Sequence, residues 1–213
     1  MAALNLGAAG SAPAIELPDL VIHWWGWPLG ALPFALALLL AWRIGGAIPR
    51  GSRLVPWDRR RGPPAGIPPL TAWSPPARLL AFLYVMAAGL THLFAVGAIW
   101  QATRVAVSGN AEYFRYMKPL QLFRMSHQHA FGHGTMYLAT GALALASSGS
   151  PRLKVLGIAL AFLGAGCDLA SWWLQKFCGP SFEPLSLGGG ASFAAGFALL
   201  AALILRDLVP RAR

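Results

Sequence analysis

Five apolar blocks, at about 24–43, 79–100, 128–147, 153–174 and 187–205, constrain this chain more than any other feature. Each approaches or exceeds the roughly 20 residues that a helix needs to cross a bilayer. The spacing predicts one membrane domain over 1–213, an all-α polytopic bundle of five transmembrane helices. Composition agrees, because 11% of the residues are charged, against about 25% in a soluble domain. A solvated globular enzyme and a disordered chain are both excluded. The first block reads as a retained helix and not a cleaved leader, since the first positive residue, Arg43, lies behind it.

The charge pattern gives an orientation. Twelve of the 17 Lys and Arg residues fall at Arg43, in the 44–78 loop, in the turn near 150 and at the C-terminus. The other five are Arg104, Arg115, Lys118, Arg124 and Lys176. The positive-inside rule then places the N-terminus outside and the C-terminus in the cytoplasm. The net charge of +10 is thereby topological, and nucleic acid is not an expected partner. The Pro- and Arg-rich loop 44–78 is cytoplasmic, with anionic lipid or a partner subunit as its possible contacts. The stretch 101–127, where aromatic residues alternate with Arg and Lys, reads as an amphipathic segment on the outer interface.

Chemistry concentrates in the histidines: His23, His92, His127, His129 and His133. His23, beside Trp24, Trp25 and Trp27, is an interfacial anchor. The others matter because ionisable groups inside a span are costly and pair within the bundle. Counting inward from the outer boundary at 1.5 Å per residue, His92 lies about 12 Å deep and His133 about 8 Å. Asp168, just before Trp172 and Trp173 in the fourth span, reaches the same layer. Three helices thus bring ligand-capable side chains to one depth in the outer half of the membrane.

Bis-histidine ligation of haem b needs imidazoles from facing helices. His92 facing His129 or His133 meets that requirement, with one haem expected, or two. Gly132 and Gly134 beside His133, and Gly89 a turn before His92, would let a flat ring approach the backbone. Gly188–Gly190 would widen the cavity. Asp168 would orient a ligand by accepting from its second ring nitrogen. Phe131, Met136 and Tyr137 read as packing. A copper or zinc site built from His92, His127, His129, His133 and Asp168 is an alternative. Cys167 and Cys178 are about 16 Å apart if helical, too far for a disulfide, and no CxxCH haem-attachment motif is present.

Two segments carry a resemblance: Met125-Ser-His-Gln-His-Ala-Phe-Gly-His-Gly134, and Cys167-Asp-Leu-Ala-Ser-Trp-Trp173. Over roughly residues 80–205 the chain resembles bacterial inner-membrane proteins in which Ser-His-x-His-x-Phe-Gly opens one span and Asp-x-x-Ser-Trp-Trp closes the next. Such proteins look like membrane cytochromes that accompany respiratory or redox modules. The resemblance names His127 and His129 as the family positions and so favours His129 as axial partner, whereas depth favours His133. The expected function is electron transfer between the quinone pool and an outer-face partner, as a subunit and not a stand-alone enzyme. A cofactor-free scaffold subunit is the remaining alternative. No nucleophile–base pair, phosphate loop or nucleotide fingerprint is present.

Overall fold

The computed structural model describes residues 26–47, 68–106 and 109–209. Six helices form in order: α1 (Gly26–Ala47), α2 (Pro75–Trp100), α3 (Asn110–Tyr116), α4 (Pro119–Ala146), α5 (Pro151–Cys178) and α6 (Glu183–Leu208). No strand occurs among the described residues. The protein is an all-α membrane helix bundle. Pro75–Val105, Pro151–Cys178 and Pro180–Leu208 are each long and apolar enough to cross a membrane. The apolar part of α1, Pro28–Ile44, is shorter. Helix α4 matches α5 at 28 residues, but it carries three histidines and Arg124.

Helices α5 and α6 form the centre, and glycine allows their contact. Gly157 and Gly164 on α5 face Gly196 and Gly189 on α6, seven residues apart on each helix. That spacing keeps both small residues of each helix on one stripe, and small residues let membrane helices approach closely. A Cβ on Gly164 would stand 2.5 Å from the Phe193 backbone nitrogen, and one on Gly189 would stand 2.6 Å from that of Asp168. Gly188 lies against the Gly30 backbone of α1. The glycines at 188 and 189 therefore serve helix contact and do not widen a cavity. Ala37 of α1 packs with Ala159 and Leu160 of α5, completing a three-helix core.

Helices α4 and α2 lie against this core. Tyr137 of α4 and Val85 and Ala88 of α2 join Ala161, Phe197, Leu200 and Ile204 in the main apolar cluster. Polar ties hold the two ends. At one end Arg104 pairs with Glu183 at 2.9 Å, and Lys176 donates to the Met117 and Arg115 carbonyls at the end of α3. At the other, Asp207 accepts from the Ser148 hydroxyl at 2.6 Å. There Arg78 Nη2 donates to the Leu208 carbonyl at 2.6 Å, and Lys154 donates to the Leu145 carbonyl at 3.0 Å. These cations meet the negative ends of helix dipoles.

The third long helix starts at Pro119, well before the apolar run at 128. Hydropathy marks where a helix becomes apolar, while its start is set by Pro119 at the first turn. His127 and His129 accordingly sit in the third turn and not at a boundary. The stretch 101–127 divides into a π-helical turn that prolongs α2 (Gln101–Val105), followed by α3 and the opening of α4. Phe114 and Met117 within it pack against Trp172, so part of its apolar surface is covered by protein.

Gly189→Ala is expected to destabilise the bundle by about 1–3 kcal/mol, the usual cost of overpacking, because its Cβ meets backbone. Gly190→Ala should be silent, since nothing lies within 4 Å of its Cβ. Unfolding of the two variants in detergent would compare them.

Candidate functional site

His92 enters from α2, half-buried, with its ring stacked on Phe197 at 4.3 Å between centroids. Its Nδ1 lies 2.9 Å from the Ala88 carbonyl. A carbonyl only accepts, so Nδ1 carries the proton and neutral His92 presents a bare Nε2. That nitrogen receives the Tyr137 hydroxyl proton at 3.1 Å. The same hydroxyl oxygen lies 3.2 Å from His133 Nδ1, which donates to it. One phenol therefore joins histidines of facing helices α2 and α4. Tyr137 is fully buried at 0% exposure, and Phe193 borders all three rings.

His129 stands one turn before His133 on the same face, with ring centroids 5.8 Å apart. Its Nδ1 donates to the Met125 carbonyl at 2.9 Å, which leaves its Nε2 bare too. The Trp172 indole meets the His129 ring edge-on at 5.0 Å and stacks on Phe114 at 5.2 Å. His127 is exposed and shares no ring contact with the other histidines among the described residues. His23 lies outside the described residues.

Asp168 is buried, at 7% exposure. Its Oδ1 accepts from Ser186 Oγ at 2.7 Å and from Trp172 Nε1 at 3.2 Å. No histidine donates to it among the described residues. Asp168 instead fixes the indole that borders His129, so its influence passes through Trp172. Gly132 and Gly134 have no atom within 4 Å of a Cβ position, and a Cβ on Gly89 would touch Phe197 at 3.7 Å. Among the described residues no three His, Cys, Asp or Glu side chains gather at metal-binding spacing. Cys167 and Cys178 are free thiols.

The structure thus gathers His92, His129 and His133 around Tyr137, sets Asp168 behind Trp172, and leaves His127 outside. Two participants escape a reading of the sequence by residue type. Tyr137 passes as packing, although its i+4 relation to His133 puts both on one helix face. Trp172 passes as an interfacial marker. The two quoted segments also meet in space, because Trp173 Nε1 donates to Ser126 Oγ at 2.9 Å.

An apolar helical bundle with a small buried polar centre defines this chain as a multi-pass membrane protein. It belongs to the Aq_1264_TM family, a transmembrane helical domain whose match covers residues 106–213. The matched stretch holds α3 to α6, hence His129, His133, Tyr137, Asp168 and Trp172, while His92 comes from outside it. No curated protein and no solved structure matches the chain.

Tyr137→Phe keeps the ring and removes only the shared hydroxyl. It is expected to cost about 1 kcal/mol, because two half-buried imidazole nitrogens lose their partner. The same variant should shift the ¹⁵N resonances of His92 and His133 and leave His129 unmoved. An unchanged His92 resonance would contradict the shared hydrogen bond.

Proposed function

We propose that this chain is a b-type cytochrome-like electron-transfer subunit of a membrane redox complex, holding haem b between α2 and α4. The observation that carries the reading is the convergence of His92 Nε2 and His133 Nδ1 on one point, the Tyr137 hydroxyl. His92 has the form of a prepared ligand: its Nδ1–H is anchored on its own helix, which aims the Nε2 lone pair across to α4. When bound, haem supplies a one-electron iron centre. Its accommodation would require the Tyr137 hydroxyl to leave the line between the two imidazoles, and His133 either to give up its Nδ1 proton or to turn its bare Nε2 toward the iron. The slight contact of α2 with the core favours that adjustment. Trp172, fixed by Asp168, holds His129 beside the pair.

The remaining parts of the reading follow from sequence and surface. The exposed apolar residues of α2, among them Leu80, Leu83, Leu90, Leu93 and Phe94, suit lipid or a neighbouring subunit. Quinone is the proposed electron partner, and the bacterial inner membrane, with the N-terminus outside, the proposed location. A second reading has one observation in its favour. His129 and His133, at i and i+4, have both Nδ1 atoms engaged and both Nε2 atoms bare, the arrangement by which a helix offers two nitrogens to copper or zinc.

Absorption spectra and metal analysis of purified variants separate these readings. His92→Ala is expected to lose the haem or leave it five-coordinate and high-spin, since α2 offers no second histidine. His133→Ala should lose the low-spin spectrum, and His129→Ala should keep it. The reverse outcome transfers the α4 ligand to His129. Stoichiometric copper or zinc without a Soret band would establish the second reading, and neither cofactor would leave a scaffold subunit. A full low-spin spectrum in His92→Ala would overturn the proposal.

A further inference from the structure

The buried polar side chains of α5 form a row. Asp168, Ser171 and Gln175 stand at i, i+3 and i+7, with 7%, 0% and 2% exposure. That spacing holds them on one helix face, and burial makes it the inward face. Polar groups are costly in apolar surroundings unless each finds a partner, and most do. Ser171 Oγ donates to the Asp168 carbonyl at 2.6 Å, and Gln175 Nε2 donates to Ser171 Oγ at 3.4 Å. Asp168 Oδ1 already accepts from Ser186 and Trp172.

Two acceptors remain. Gln175 Oε1 is sealed within the protein and has no hydrogen-bond partner among the described residues. Asp168 Oδ2 receives no donor among them either. Turning the Gln175 amide over only exchanges which of its ends is orphaned, because Ser171 is the one partner it meets among the described residues. A buried carbonyl without a donor is rare in native proteins, and ordered water is its usual complement.

We propose that water enters along this row from the Cys178 end of α5, donates to Gln175 Oε1, and lets Asp168 exchange protons with that membrane face. The direction follows from the helix: Gln175 lies within a turn of the exposed Cys178. Asp168 lies about 10 Å deeper than Gln175 at 1.5 Å per residue. In the exchange a hydronium O–H bond breaks as the carboxyl O–H forms at Oδ2, leaving water, and no electron moves. The titratable groups in range of Asp168 are His129 and Tyr137 on α4 and Cys167 on α5 itself, while α6 presents the Ser186 hydroxyl. The row thus joins an aqueous face to the acid nearest the histidine layer, and it stands without any haem.

Water-edited solid-state NMR of the full-length protein in lipid bilayers tests this, with bulk water as the probe. Magnetisation from water is expected to reach the Gln175 and Asp168 side chains severalfold faster than the fully buried Ile204. Gln175→Leu should slow transfer to Asp168 severalfold and leave the exposed His127 unchanged. Gln175→Met, closer in shape, repeats the comparison if the leucine variant loses helix content. Transfer to Gln175 and Asp168 no faster than to Ile204 would overturn the proposal. So would an Asp168 rate that neither substitution changes. The absorption spectrum of the same samples reports separately on haem.

Discussion

The close approach of α5 and α6 is the contact on which the rest of the arrangement depends. Gly164 against Gly189, and Gly157 against Gly196, bring two backbones together where lipid gives helices no hydrophobic reason to associate. Dispersion contacts and short polar links then accumulate along the seam, including Ser192 Oγ donating to the Leu160 carbonyl at 3.1 Å. The same approach sets Ser186 within reach of Asp168. It also directs Phe193 and Phe197 outward to the rings of His92 and His133. The polar centre is a consequence of the glycine seam.

Within the centre, hydrogen-bond directionality decides what each histidine can do. An imidazole whose Nδ1–H is anchored on a carbonyl of its own helix is fixed in tautomer and rotation. His92 and His129 both have that anchor, on Ala88 and Met125. His133 Nδ1–H instead donates a hydrogen bond to the Tyr137 hydroxyl, which in turn donates one to His92 Nε2. The polar groups of this layer therefore compensate one another across α2 and α4, as low-dielectric surroundings require. The layer is one of several polar links that hold α2, otherwise largely exposed, to the bundle, beside Tyr84 Oη donating to the Met136 carbonyl at 2.7 Å and Arg78 donating to the Leu208 carbonyl.

Much of this was legible from residue order, for definable reasons. Hydropathy alone gives the long helices, and a rise of 1.5 Å per residue puts His92 and His133 in one layer, where the structure joins them through a single oxygen. Depth counting carries no azimuth, however, so it could not separate the outward-turned His127 from the inward His129. It also assigned Asp168 to a histidine when its Oδ1 is taken by Ser186 and Trp172. The start of α4 was hidden because its first turns are polar. Tyr137 was hidden because a tyrosine in an apolar run looks like packing until its hydroxyl is located. The roles of Gly188 and Gly189 depend on neighbours distant in sequence, Gly30 and Asp168.

The central functional claim is that the point shared by α2 and α4 is a haem site. The most direct measurement is a reduced-minus-oxidised spectrum of the native protein purified from haem-replete cells, with haem quantified per chain. The account predicts a low-spin b-type spectrum at one haem per chain. Protein purified in folded form with no Soret band would contradict it.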